Sequence, residues 1–359
     1  MRPVCAFAFS KPSSTGNAMA EVQGQLFNAL PFEWTPHGGH SETARAAAAL
    51  WMLATRNTSS PASILGVHIG DTFDTEKEKL LLKICKHDVN VSTVNERTAL
   101  SLLMAVIEAR TTAFVAEQVR HTNAADSVSQ TRGCAIDAAS GTIVMALEWL
   151  PPFEVPPAWG VRGIFSVHMH TLADMLRNIQ CVPDRVWRAT LLQILDTLAT
   201  LQVRVPHFMH NDLKPENIVL TQQPNAVHPR AVLIDFEASF STDSRACSPL
   251  FMPHAAPIGY MEKFGLYPSF CAFSDQYLLF ACAWRAIKAK PPPWARAFFH
   301  FASRVFPSQL FEKGDEFIVR KDTLRLTRKG REVVEAAWRD GKALTPRGAC
   351  EDAYFSWKE

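Results

Sequence analysis

Apolar residues change their spacing part-way along this chain. Ser63–Gly70 (SILGVHIG) and Lys79–Lys86 (KLLLKICK) are short β-compatible runs on either side of a polar stretch, DTFDTEKE. They predict two strands joined as a hairpin. TVNERTALSLLMAVIEAR (Thr93–Arg110) has apolar positions at helical spacing and predicts an amphipathic helix. TAFVAEQV (Thr112–Val119) and GTIVMALEWL (Gly141–Leu150) read as two more strands, the second bounded by Gly141 and by Pro151-Pro152. Upstream, TARAAAALWMLAT (Thr43–Thr55) fits a first strand or a short helix leading into one.

Beyond the prolines the helical period takes over. TLADMLRNI (Thr171–Ile179) and the long RVWRATLLQILDTLATLQV (Arg185–Val203) read as helices. AVLIDFEASF (Ala231–Phe240) reads as a buried strand entering a loop that runs from Ser241 to about Pro268. SDQYLLFACAWRAI (Ser274–Ile287) predicts an interior helix, and LTRKGREVVEAAWRDG (Leu326–Gly341) a surface one. Strands with one helix, followed by mostly helix, predict an α+β chain with two lobes joined near Trp149 and no internal repeat. The expected divisions are a flexible extension over 1–42, a small β-rich lobe over 43–148, a larger helical lobe over 149–340 and a tail over 341–359.

Composition narrows the partners more than the fold. The 359 residues are 47% hydrophobic and 20% charged, with a formal net charge of +2. That balance is too near neutral to argue for a nucleic-acid or membrane partner, and leaves room for small basic patches. Eight cysteines lie far apart with no CxxC pair, so neither a disulfide framework nor a structural zinc site is expected, and a reducing intracellular setting is. No apolar run nears the roughly 18 residues a membrane span needs. The opening MRPVCAFAFSKPSSTG has too short an apolar core for a secretory leader.

The segment HFMHNDLKPENIVL (His207–Leu220) places His210, Asp212, Lys214 and Asn217 between an apolar run and a strand, as a loop holding chemistry on a scaffold would. Phosphoryl transfer from a nucleotide needs a group to orient the nucleophile and take its proton, oxygen ligands for magnesium, and positive charge near the phosphates. Asp212 suits the first role, Asn217 and Asp235 the second, and Lys214 can reach a transferred phosphoryl. Asp212 and Asp235 are 23 residues apart, room for a hairpin that folds their loops together. His210 is read mainly as a structural histidine bonded to nearby backbone. His168 and His170 in VHMH have too few companion ligands to suggest a metal.

HNDLKPENIVL followed by LIDFE resembles the catalytic and metal loops of the eukaryotic-type protein kinase superfamily, whose patterns are H-R-D-x-K-x-x-N and D-F-G. Small-molecule kinases share the Asp and Asn but usually lack the Lys-Pro. The resemblance runs from about Ala47 to Trp338. It implies a two-lobed protein kinase-like fold, ATP and Mg2+ as cofactors, and protein substrates phosphorylated on Ser or Thr. It implies that Lys83 in LLLKICK binds the α- and β-phosphates, with Glu96 paired to it. Val67 and Leu81 would lie at the nucleotide, Leu147 at the gatekeeper position, and Glu148 to Leu150 along the adenine edge. Asp275 would steady the catalytic loop's backbone, and Glu262 falls where the A-P-E glutamate stands, without its Ala-Pro.

Departures from the pattern are specific. The turn expected to cover the phosphates, TRNTSSPAS (Thr55–Ser63), has no glycine, although glycine lets backbone approach phosphate closely. Glu237 replaces the glycine of D-F-G, Leu81 stands where alanine is usual, and Asn211 replaces the arginine that normally reads an activation-loop phosphate. Such divergence is similar to that of kinases of large DNA viruses. The alternative expectation is a pseudokinase that keeps the fold as a binding or scaffolding module.

Overall fold

The computed structural model describes residues 62–69, 78–86, 108, 111–137, 142–148, 150–159, 168–223, 226–243, 271–319 and 325–356. They form a mixed helix-and-strand protein, mostly helical, with small sheets. The chain divides into two compact units, with residues 142–148 in the first and residues 150–159 in the second.

The described part of the first unit is a four-stranded sheet of β1 (Ala62–Ile69), β2 (Glu78–Lys86), β3 (Thr131–Asp137) and β4 (Thr142–Glu148), in the order β1-β2-β4-β3. Every pairing is antiparallel. The β1–β2 pair is the hairpin expected from two apolar runs around a polar connector, in register from Ala62↔Cys85 to Ile69↔Glu78. β3 was not foreseen. Its sequence, TRGCAID, holds a glycine and an alanine among few strand-favouring residues, and its pairing with the β-rich TIVMALE of β4 supplies what local propensity does not.

The second unit begins with α1 (residues 111–119), which overturns the strand expected for TAFVAEQV. Thr112, Val115, Ala116 and Val119 are buried while Glu117 is exposed. That three-to-four spacing is a helix's buried stripe and does not fit the alternation of a strand. The short strands β5 (Phe153–Glu154) and β6 (His168–Met169) pair antiparallel, with His168 opposite Glu154. α2 (Leu172–Arg177) follows, started by a capping box in which Thr171 and Asp174 satisfy each other's backbone N–H groups.

α3 (Asp184–Arg204) is the spine of this unit. Val186, Trp187, Thr190, Leu191, Ile194, Leu195, Leu198 and Leu201 are buried at successive three- and four-residue steps. Pro206, just past its C-terminus, cannot continue the helix. α4 (Ser274–Ala289) is buried along most of its length, with Tyr277 donating its hydroxyl to Leu310 O at 2.6 Å. Trp187 of α3 stacks on Trp294 (centroids 5.8 Å) and meets Phe298 of α5 (Ala295–Val305) edge-on at 5.6 Å.

Residues 341–356 contribute to this core. Tyr354 and Phe355 are buried, and Tyr354 stacks on Phe301 with centroids 4.4 Å apart. The Arg188 guanidinium lies 4.2 Å from the Tyr354 ring, and Arg304 holds the Asp352 carboxylate through two bonds of 2.8 and 2.6 Å. Among the described residues no helix is long and apolar enough to cross a membrane.

Candidate active site

The loops that carry Asp212, Asn217 and Asp235 lie in the second unit. From the end of α3 the chain runs through a loop to a one-turn 3-10 helix at Pro215–Asn217, then into the hairpin of β7 (Ile218–Thr221) and β8 (Arg230–Leu233). Ile218 pairs with Leu233, so the hairpin returns the chain to where it left and brings Ile234–Asp235 beside the loop of Asp212. The extended backbone at Lys214 (φ −90°, ψ 157°) is what a residue preceding proline adopts, and Pro215 then starts the 3-10 turn.

Peptide groups fix the loop from beneath. Asp275, in the first turn of α4, accepts the His210 backbone N–H on Oδ2 at 2.7 Å and that of Asn211 on Oδ1 at 2.9 Å. This is the role the resemblance implied for Asp275. Its carboxyl is only 2% exposed. Burial pushes it above the ordinary carboxylate range, with a smaller push from the charge of Asp212, while His210 and the two backbone N–H groups pull it back. The His210 ring, fully buried, packs against Phe236 at 4.9 Å and bonds through Nε2 to Ile234 O at 2.9 Å. A carbonyl only accepts, so Nε2 carries the proton. The structural reading of His210 holds.

Two side chains converge on Asp212. Lys214 Nζ and Asn217 Nδ2 donate to its Oδ2 at 3.0 and 3.2 Å, and Asn217 Nδ2 also reaches Asp212 O at 2.9 Å. The Asp212 side chain is 3% exposed and that of Lys214 22%. The backbone N–H of Ile234 donates to Asn217 O at 3.0 Å. The peptide groups before Asp235 are thus held by both His210 and Asn217, and the expected folding of the two loops against each other is present. Phe236, buried between Phe208 and His210, anchors the other side of Asp235.

Among the described residues, positive φ at non-glycine positions occurs at His207 (53°), Asn211 (61°) and Asp235 (67°). All three lie in these two loops. The left-handed region costs most residues about 1–2 kcal/mol, and Asn and Asp bear it best. Strained backbone concentrated in one place marks a shape maintained by its surroundings.

The other expected site residues are distributed as follows. The register sets Leu81 directly opposite Leu147 and Lys83 opposite Met145, so Leu81, Lys83 and Leu147 share one parity of the sheet. Val67 stands opposite Leu80. Leu147, Glu148 and Leu150 are each half-buried. Glu96, Glu262, Arg56 and all but the last two residues of TRNTSSPAS lie outside the described residues. Asn211 is the residue whose importance the sequence understated. It is left-handed, 7% exposed, and donates through Nδ2 to Ala238 O at 3.2 Å. Its one available signal was asparagine's tolerance of that conformation.

The donor set suits a small hard cation, which takes carboxylate and amide oxygens. Asn217 Nδ2 is committed to Asp212, so the amide presents Oδ1 as its ligand atom, and Asp235 adds a half-buried carboxylate. No protein-family model and no curated protein matches this chain. The site is therefore read from its own geometry.

Proposed function

We propose that the chain is a two-lobed protein kinase-like phosphotransferase, passing the γ-phosphoryl group of ATP to Ser or Thr hydroxyls of protein substrates inside cells. Asp212 orients the substrate hydroxyl and takes its proton. The hydroxyl oxygen bonds to the γ-phosphorus as the bond to the β–γ bridging oxygen breaks, and ADP leaves. Lys214 holds the Asp212 carboxylate from one side and sets a positive charge close to the transferring group. Asn217 and Asp235 are the residues that hold magnesium, which when bound offsets negative charge on the phosphate oxygens. Lys83 is assigned to the α- and β-phosphates with Glu96 as its partner. Val67, Leu81, Leu147, Glu148 and Leu150 are assigned to the nucleotide.

The observation that supports this most is the double clamp of Asp275 on the peptide N–H groups of His210 and Asn211. A buried carboxylate spent on two backbone groups immediately before Asp212 is costly unless that aspartate must be held in place. The second reading, a pseudokinase, is favoured by the glycine-free turn over Thr55–Ser63.

Radiolabelled ATP turnover by the purified chain, with generic protein substrates, tests the proposal. Asp212→Ala is expected to lower turnover by about 10²–10⁴-fold, with nucleotide affinity nearly unchanged. A variant that keeps most of its turnover would remove Asp212 from its role. ATP affinity equal with and without magnesium, in a parent protein without turnover, would establish the pseudokinase instead.

A further inference from the structure

A recess opens beside the C-terminal half of α4, lined by none of the residues assigned to phosphoryl transfer. The helix ends in ACAWRAIKA (Ala281–Ala289), where Ala281, Arg285 and Ala289 follow one another at four-residue steps and Trp284 and Lys288 form the next row. The two alanines leave space between the longer side chains. Phe311 and Glu312, at the end of the short helix Ser308–Glu312, close the other side. The volume is about 290 Å³, at the small end of ligand pockets, which run from about 300 to 1,000 Å³. That is room for one or two side chains, not for a nucleotide.

The aromatic wall is built in advance. Phe311 stacks on both Tyr277 and Trp284, with centroids 5.8 and 4.8 Å away, and Trp284 also packs on Phe299 at 4.6 Å. The Tyr277 bond to Leu310 O fastens the short helix to α4. A wall already in place spares an incoming segment the entropy of ordering it. Trp284 Nε1 is buried with no hydrogen-bond partner among the described residues, although a buried indole N–H usually has one. The charged residues are at the surface. Two cations, Arg285 and Lys288, stand against one carboxylate, Glu312, and all three are exposed. Lys290 and Lys313, next in the chain to Ala289 and Glu312, are exposed cations as well.

We propose that this recess docks an acidic segment of a partner protein. One aromatic or large aliphatic side chain of that segment packs on Trp284 and Phe311, and carboxylates beside it meet Arg285 and Lys288. A guanidinium has five N–H donors, so Arg285 takes a carboxylate in addition to any bond it already makes. A nucleic acid needs a row of cations along its phosphates, and two cations beside a carboxylate do not make one. The proposal is independent of the phosphotransfer reading, because binding needs no turnover.

The probe is a fluorescein-labelled peptide, Asp-Glu-Phe-Asp-Glu, titrated with the full chain and read by polarisation. Lys288→Glu should weaken binding about two- to fivefold at low salt, and Arg285→Glu with Lys288→Glu about tenfold or more. Added salt should shrink both effects. Ala289→Trp fills the recess without altering charge and should weaken binding by a similar factor. All three positions are exposed, so melting temperatures should stay near the parent's. Two altered peptides query the parent alone: alanine in place of phenylalanine should bind several-fold more weakly, and lysines in place of the acids should not bind.

No binding by the parent at low salt would overturn the proposal, as would equal binding by the parent and the doubly reversed protein. Equal affinity for the phenylalanine and alanine peptides would reduce the surface to general charge attraction and overturn it too. A single-stranded oligonucleotide that binds more tightly than the peptide, and is lost in the same variants, would assign the face to nucleic acid instead.

Discussion

Replacing Asp275 by asparagine keeps the size of the side chain and removes its second acceptor. The carboxylate now receives the His210 N–H at 2.7 Å and the Asn211 N–H at 2.9 Å, one on each oxygen. An amide can satisfy one of these through Oδ1 and must turn its NH2 toward the other, donor against donor. Leaving a buried N–H unsatisfied costs about 1–3 kcal/mol, and weakening the surviving bond from charge-assisted to neutral costs about 1 kcal/mol more. Against this stands relief from burying a charge, the effect that pushes the Asp275 carboxyl up. Taking these together, the net loss is about 2 kcal/mol near neutral pH. For a cooperative unit of about 150–250 residues that is a melting-temperature drop of roughly 4–8 °C.

The pH dependence has a definite sign. A carboxyl held above its unfolded value gives stability at low pH that is lost as pH rises through the raised value. The variant lacks this titration, so the gap between parent and Asp275→Asn should narrow as pH rises from the ordinary carboxylate value, about 4, through the raised one. Calorimetric melting of both proteins across that range reads the trend. Equal melting at neutral pH would refute the clamp as a structural tie. A gap that widens with pH would show that the two N–H donors outweigh burial, reversing the electrostatic argument.

Gly330→Ala poses helix propensity against packing. Alanine in a helix gains about 1 kcal/mol over glycine, but a Cβ at Gly330 would stand 2.5 Å from Phe317 O and 3.2 Å from Leu326 Cδ2. Backbone cannot yield cheaply, so a lower melting temperature is expected, and a higher one would show that α6 (Arg328–Arg339) has room to shift. Asp352→Asn tests the C-terminal packing. Hydrogen bonding from Arg304 holds the Asp352 carboxyl below its ordinary value, so its stabilisation is present above the unfolded value and disappears as pH falls through the depressed one. Because the Arg304 side chain is 50% exposed, the loss at neutral pH should be under about 1 kcal/mol, and a pH-independent difference between the two proteins would refute the assignment. Asp235→Asn should weaken ATP binding in magnesium and leave magnesium-free binding alone, as titration calorimetry would show; equal effects in both conditions would take Asp235 out of the cation site.

What was legible in the sequence follows from which forces act locally. α3 and α4 were readable because each buries a stripe that one helix records by itself, as Val186, Leu191, Ile194 and Leu198 do. α1 was misread because the same residues that favour strands, Thr112, Phe114, Val115 and Val119, take helical spacing once partners bury them. β3 was invisible because its stability comes from β4 rather than from TRGCAID.

The site divides in the same way. Asp212, Lys214, Asn217 and Asp235 stood out because carboxylate, ammonium and amide are identities a sequence spells. Lys214 was assigned to the phosphoryl group, and its Nζ is found on Asp212 Oδ2; an ammonium has three N–H donors, so the two roles are compatible and spacing could not rank them. The backbone ties between the two loops lie at the other extreme. Their acceptors are the carbonyls of Pro206, Met209, Ile234, Ala238 and Phe240, groups that every residue carries. No pattern of side chains can announce a partner that is backbone. Only the path of the chain, set by the β7–β8 hairpin and by left-handed turns at Asn211 and Asp235, decides that these carbonyls meet those donors.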